Sequence, residues 1–367
     1  MSRVLILAND EATIYNFRRE FLKALVEAGH EVIVSVPEAE RAKVFVEMGC
    51  KLATISVTRA GTNPLEEVLV LGRYLKLIKK IKPDIVLTYT QKQNIYGSFA
   101  CKINKVPYMN TVTGVGRVFQ KEGLLKNVTC KLQKMAFKNS SCVFFQNTEN
   151  LRVYREMGIV ADNICLLPGS GVNISKYQYK PYPEIEDKTK FVFVSRLRKD
   201  KGFDEFFEAV KNVTAKTDKA EFHVIGWFED DEYKAKIEYM QENYPVIFHG
   251  TLSQEEVYEV VSQCHCLVHP SYHEGMANVI LEASSAGRPC MASNIHGCLE
   301  SIEHGETGFL FDVKSVESLT QALLNFLEIS ADKREQMGKN ARKKMENEFD
   351  RNIVVNEYMK QIDSVLK

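Results

Sequence analysis

Short apolar runs alternate with helix-period segments along almost the whole chain, and this alternation constrains the fold most strongly. Strands spaced by helices of this length build parallel sheets with helices on their faces. In the first half, strands are expected at 4–8, 32–36, 53–57, 85–88, 108–111, 143–146 and 164–167. Helices are expected between them at 15–28, 39–48, 65–81, 95–104, 124–137 and 149–157,. Gly29 stands where the first helix should stop,. Prolines, glycines and acids between Pro168 and Asp187 then interrupt the pattern and read as a linker,. Alternation restarts with strands at 190–195, 221–225, 246–249, 265–268, 290–292 and 308–311, and the tail from 316 is helical. The expected architecture is α/β, with two doubly wound, Rossmann-like domains facing a central cleft: 1–175, a linker 176–189, then 190–348,.

The stretch from His269 to Pro289 reads as loop, helix and the start of a strand. Pro270 and Gly275 break the strand ending at Val268. Val279, Ile280 and Ala283 keep helical spacing, and Gly287 with Pro289 stops the helix,. Glu274 is expected at the helix entrance and Glu282 eight residues on, about 12 Å of helix later. That separation suits two ends of one ligand with hydroxyls at its ends and phosphate between, because a helix start aims N–H groups at an anion. It also suits a buried helix whose acids are a cap and a surface charge, and spacing leaves both readings standing. Strand carboxyl ends carry the ligands in such sheets, so this loop should face the cleft.

Upstream, Ser195-Arg-Leu-Arg-Lys-Asp-Lys-Gly202 follows the first strand of the second domain. Arg196, Arg198, Lys199 and Lys201 gather at that strand's carboxyl end, where Arg offers a fork for phosphate oxygens and Lys a point charge. A solvated charged turn is the alternative.

These two stretches together resemble the retaining glycosyltransferases of the family-4 type, which have the GT-B fold. Pro168-Gly-Ser-Gly-Val-Asn173 and Gly297-Cys-Leu-Glu-Ser-Ile-Glu-His-Gly-Glu-Thr-Gly308 resemble further family segments, and the likeness covers essentially the whole chain. The resemblance implies roles. Arg196 and Lys201 neutralise the diphosphate of a nucleotide-sugar donor, UDP by expectation, and Glu282 binds the ribose. Glu274 meets the sugar, and N–H groups around Gly275, Met276, Ala277 and Asn278 hold sugar hydroxyls or phosphate. Gly250 and Leu252 flank the seat of the base. Fixed cations are worth most where leaving-group charge grows, so no metal or other cofactor is expected. The last helix, 349–367, is expected to cross back to the first domain, as in similar proteins.

Arg59-Ala-Gly-Thr-Asn-Pro64, Thr88-Tyr-Thr-Gln-Lys-Gln-Asn-Ile-Tyr-Gly97 and Asn110-Thr-Val-Thr-Gly-Val-Gly-Arg-Val-Phe119 resemble the branch that extends sugars on undecaprenyl diphosphate in capsule, O-antigen and glycan assembly. The resemblance implies transfer of a hexose or N-acetylhexosamine, with retention, to a lipid-linked saccharide. Thr113, Gly114, Gly116 and Asn94 are expected on the acceptor side. Two departures stand out: Asn9-Asp-Glu-Ala replaces the family's Gly-Gly loop, and Thr113-Gly-Val-Gly116 stands where a His is common. A nucleotide-sugar epimerase or phosphorylase, or a non-catalytic sugar-nucleotide-binding protein, would use the same architecture.

Composition bears on partners. The 367 residues have zero formal net charge, so the chain as a whole is no evident nucleic-acid binder,. Residues 1–165 hold 24 Lys+Arg against 15 Asp+Glu, and the remainder holds 24 against 33. Within 117–138, Arg117, Lys121, Lys126, Lys131, Lys134 and Lys138 face one acid, Glu122, with an apolar stripe from Leu124 to Phe137. Such a helix suits an anionic membrane surface; a domain helix with a core stripe and a solvated lysine face has the same pattern. Nine cysteines without Cys-x-x-Cys suit reduced thiols, and no signal segment or spanning helix is read,. The expected location is the cytoplasm, peripherally on the inner face of the membrane. Cys264-His265-Cys266 reads as core and Glu229-Asp-Asp231 as a helix entrance, so no metal site is expected.

Overall fold

The computed structural model describes residues 1–37, 42–55, 64–120, 123–185 and 187–367, the side chains of Pro64, Arg117 and Gln120 excepted. The chain forms two units, Met1–Ser170 with Arg351–Lys367, and Gly171–Asp350. The second therefore begins before the expected boundary at 175.

In unit 1 the described strands are β1 (Arg3–Leu7), β2 (Glu31–Ser35), β3 (Lys51–Leu52), β4 (Ile85–Tyr89), β5 (Tyr108–Val112), β6 (Cys142–Phe145) and β7 (Ile164–Leu166). They form one parallel sheet of order β3-β2-β1-β4-β5-β6-β7. In register, Val4 lies between Val32 and Ile85. The strand order reverses between β1 and β4, the position where doubly wound sheets bind ligands,. The connections run through α1 (Glu11–Phe17), α2 (Arg19–Glu27), α3 (Lys43–Glu47), α4 (Pro64–Ile81), α5 (Ser98–Asn104), α6 (Leu124–Phe137) and α7 (Thr148–Glu156).

Three elements depart from the sequence pattern for visible reasons. The helix expected at 15–28 is two helices, broken at Arg18, whose backbone sits at φ −133°. The break turns Arg18 inward, where it is 2% exposed and lies 5.1 Å from the Tyr89 ring and 5.6 Å from the Tyr358 ring,. The strand expected at 53–57 is Lys51–Leu52, and the Arg59–Pro64 motif lies largely outside the described residues. The helix expected at 95–104 opens with a π turn over Gln93–Gly97, after Thr90 at φ +72°,. Buried polar side chains hold that turn. Thr88 Oγ1 donates to Asn94 Oδ1 at 2.7 Å, Asn94 Nδ2 donates to the Thr111 carbonyl at 2.9 Å, and Asn110 Nδ2 donates to Ser98 Oγ at 2.8 Å. A hydrophobic period cannot announce a polar network of this kind.

Unit 2 contains β8 (Thr189–Val194), β9 (Ala220–Ile225), β10 (Val246–Gly250), β11 (Cys266–His269), β12 (Cys290–Ser293) and β13 (Gly308–Phe311), parallel and ordered β10-β9-β8-β11-β12-β13. Its helices are α8 (Phe203–Thr214), α9 (Glu232–Asn243), α10 (Gln254–Gln263), α11 (Asn278–Ser285), α12 (Val316–Glu328) and α13 (Ala331–Lys344). Phe191, Phe193, Phe203, Phe206 and Phe222 pack as one aromatic cluster on one face of the sheet. Cys264 and Cys266 are buried, and His265 Nδ1 accepts the Lys190 N–H at 2.8 Å, so this run is core. Burial pushes the His265 imidazole down to about 4,.

The stretch 176–189 is not a detached linker. Arg288, 1% exposed, donates to the carbonyls of Lys180 and Pro181, and Tyr182 donates to the His265 carbonyl. These bonds lay the segment on unit 2. The last helix, α14 (Arg351–Leu366), belongs to unit 1. Val354, Val355, Tyr358 and Ile362 join Val4, Ile6, Phe21 and Phe144 in its core. Tyr358 lies 4.2 Å from the Phe144 ring and hydrogen-bonds Thr111 at 2.8 Å.

Candidate active site

The strand order of unit 2 reverses between β8 and β11, and there the strand ends open into a cavity of about 290 Å³,. It is lined by Val194–Arg196 at the end of β8, Ile225–Trp227 at the end of β9, Thr251 and Leu252 after β10, Val257 on α10, and His269, Glu274 and Met276–Val279 at and after the end of β11. Lys201 also reaches it.

Two glycines set this geometry. Gly202 sits at φ +70°, and a Cβ there would lie 2.0 Å from the Pro270 carbonyl oxygen. The loops after β8 and β11 thus touch backbone to backbone, and the Tyr272 N–H donates to the Asp200 carbonyl at 2.9 Å,. Gly297 sits at φ +90°, and its Cβ would lie 2.7 Å from the Glu274 carbonyl oxygen. The stretch carrying Glu274 is therefore held between two close backbone contacts.

At its centre Glu274 Oε1 accepts from Lys201 Nζ at 2.6 Å and from His269 Nε2 at 2.9 Å. Burial alone would raise the Glu274 carboxyl, but the His269 hydrogen bond and the charges of His269 and Lys201 outweigh it and hold it at about 2,. Glu274 is an ionised acceptor at neutral pH, so Nε2 of His269 carries the proton. Arg196 and Arg198 both reach Glu229, at 3.2 and 3.0 Å. Glu229, expected at a helix entrance, is spent on these arginines. Asn278 Oδ1 is buried in the cavity wall without a hydrogen-bond partner.

The cavity thus gathers Arg196, Lys201, Glu274, Met276, Ala277, Asn278 and Leu252 from the expected set. Gly250, Gly275 and Glu282 do not line it. Glu274 is not at the helix entrance: α11 starts at Asn278, and Glu274 lies in the loop before it. The eight-residue helical rise between the two acids therefore does not hold, and Glu282 sits half-buried on α11. The Ala277 N–H is committed to the Gly297 carbonyl at 2.9 Å and is not offered to an anion. The expected set lacks His269 and Trp227: His269 opens the loop read after Val268, whereas it ends β11, and Trp227 is the sole tryptophan, following a strand.

In unit 1, Thr113 and Gly114 follow β5, and a Cβ on Gly116 would lie 2.5 Å from Gln91 Oε1. Asn94 is 2% exposed, and both its amide atoms serve the buried network, so it is not open to an acceptor. Asn9 Oδ1 and Gln91 Nε2, at the ends of β1 and β4, are buried without partners. Of the basic helix, Arg117 (its side chain) and Lys121 lie outside the described residues. Lys131, Lys134 and Lys138 on and just after α6 are exposed, and Lys126 is partly so. The apolar stripe divides: Ala136 and Phe137 are core, whereas Leu124 is 80% and Met135 58% exposed. Leu65 and Val68 on α4 are exposed too. Among the described residues, no helix is long and apolar enough to cross a membrane,.

Residues 177–344 match the family described as glycosyl transferases group 1, and residues 3–147 match glycosyl transferase 4-like. An N,N'-diacetylbacillosaminyl-diphospho-undecaprenol alpha-1,3-N-acetylgalactosaminyltransferase of Campylobacter jejuni is 28% identical over 100% of this chain and 99% of its own length. A UDP-Gal:alpha-D-GlcNAc-diphosphoundecaprenol alpha-1,3-galactosyltransferase of Escherichia coli is 28% identical over 79% of this chain and 76% of its own. Among solved structures, a glycosyltransferase of Rickettsia africae superposes with a TM-score of 0.83 at 18% identity, over 100% of this chain and 99% of that one. HepE of Anabaena, solved with UDP and glucose, superposes at 0.80 and 17%, over 99% and 100%. These neighbours show the fold, GT-B.

Proposed function

The chain belongs to the glycosyltransferases, group 1 over its second unit and 4-like over its first, and on that footing we propose that it moves a hexose or N-acetylhexosamine from UDP to a lipid-linked saccharide with retention. One observation carries the donor side. Lys201, Arg196, Glu274 and an unpartnered Asn278 acceptor meet in a single cavity at the reversal of strand order. Cations beside a carboxylate suit a ligand with a diphosphate next to a sugar. Arg196 and Lys201 take up the leaving diphosphate's charge, and this neutralisation calls for no metal. Glu274 meets the sugar. Thr251 and Leu252 seat the base, and Glu282 remains the candidate for the ribose.

The acceptor rests on the relatives, since the Campylobacter and Escherichia proteins are both named for saccharides on diphospho-undecaprenol, and the latter for UDP-Gal. In the retaining reading the acceptor hydroxyl enters on the face the diphosphate leaves, and a phosphate oxygen takes its proton. The epimerase and binding-protein readings find no such support. Trp227 is the only tryptophan and lines the cavity, so its fluorescence should change on UDP titration. UDP-hexose or UDP-N-acetylhexosamine should then label an undecaprenyl-diphosphate saccharide, with the donor's anomeric configuration in the product by NMR. A protein that bound no uridine nucleotide would end the donor reading, and an inverted product the retaining one.

Peripheral docking on the inner membrane face is supported by α6, whose exposed lysines flank exposed Leu124, Leu125, Val128 and Met135,. The protein should sediment with vesicles rich in anionic lipid at low salt and be released as salt rises, because the attraction is screened. Failure to sediment at low salt would remove the membrane from this reading.

A further inference from the structure

Glu274 has two partners on one oxygen, and the donor needs one of them. Oε1 accepts from Lys201 at 2.6 Å and from His269 at 2.9 Å, and all three residues line the cavity. The Lys201 and Glu274 side chains are 15% and 14% exposed, and that of His269 is 5% exposed. A carboxylate so enclosed is costly to leave without a partner. Lysine carries its charge on a flexible stem with three donors and can turn to a second anion. The histidine ends β11 inside the sheet and cannot follow.

We propose that His269 is a positioning residue that holds Glu274 in place while Lys201 turns to the donor's diphosphate. The proposal rests on the donor reading above. Without His269, Lys201 is the carboxylate's remaining partner of the two. Glu274 then either keeps Lys201 from the diphosphate or stands unheld beside the sugar. His269 therefore acts on both binding and turnover, through Glu274.

A double-mutant cycle on the full-length protein separates this from a merely structural role. UDP affinity is measured by calorimetry, and kcat and KM with the UDP-sugar. His269→Ala should weaken UDP and lower kcat, each by about tenfold, the usual worth of a hydrogen bond to a charged group. His269→Gln, whose amide N–H can reach Glu274, should restore most of both. In a Glu274→Gln background, where no charge competes for Lys201, His269→Ala should leave UDP affinity unchanged. If His269→Ala does not fold, His269→Asn, too short to reach Glu274, takes its place. Equal weakening of UDP in both backgrounds, or no weakening in either, overturns the proposal. Wild-type protein that binds no UDP overturns the donor reading with it, whereas UDP binding without the background dependence overturns the proposal alone.

Discussion

Glu274→Gln is expected to lower kcat for sugar transfer by about a hundredfold or more, the usual scale for removing one charged group at the reacting centre. UDP affinity should not fall with it. The carboxylate shares Lys201 with the incoming diphosphate, and the neutral amide releases that lysine. Lys201→Ala should instead weaken the donor and slow its departure together, raising KM and lowering kcat by about tenfold each for a lost charged contact. Stability supplies a second readout. The Glu274 carboxyl lies at about 2 against an ordinary 4.5, so its folded value is depressed. Such a group stabilises the fold above its unfolded value, and the contribution is lost as pH falls toward its folded value. Wild type and Glu274→Gln should therefore differ in thermal unfolding near neutrality and converge between pH 4.5 and about 2,. A variant with full transfer activity would remove Glu274 from the chemistry.

Gly202→Ala should cost about 2–5 kcal/mol of stability, from the left-handed backbone and the overpacked contact together. A methyl group there would meet the Pro270 carbonyl at 2.0 Å, and neither partner is a flexible side chain. The loops after β8 and β11 must part, and they carry Lys201 and Glu274. Misplacement by about 1 Å is worth up to a hundredfold in rate, so transfer should fall even below the melting temperature. Calorimetric unfolding and steady-state rates check both effects. An Ala variant with wild-type stability and rate would show that the backbone contact does not set the site. The cysteine thiols, all free and mostly buried, should not complicate either measurement.

Much of this protein was legible before folding. Alternation of apolar period gave the parallel sheets, because strands buried on both faces must be continuous apolar runs. Arg196, Lys201 and Glu274 were recognisable because glycines, prolines and charges concentrate at strand ends, where ligands bind, and Asn278 through the family resemblance,. The misreadings have a common origin. Asn94 looked available to an acceptor but is spent on Thr88 and the Thr111 carbonyl. Glu274 looked like a helix entrance, yet the chain runs on as loop to Asn278 because Gly202 and Gly297 hold it there. Arg18 looked helical, but the helix breaks there and its guanidinium lies inward over Tyr89 and Tyr358.

By itself, then, the sequence determined the element order, the two α/β halves and the residue types that crowd the strand ends. Local spacing suffices for these, since propensity and hydrophobic period act within a few residues. Only the tertiary structure decided partnership. Lys201 follows β8, whereas His269 and Glu274 belong to the end of β11 and its loop, and a carboxylate oxygen shared by all three depends on backbone contacts that no spacing encodes. Tyr358 likewise reaches Thr111 across 247 positions because the chain returns to close unit 1. Hydrogen bonds and ion pairs are decided within a few ångströms, and parallel crossovers bring distant segments that close.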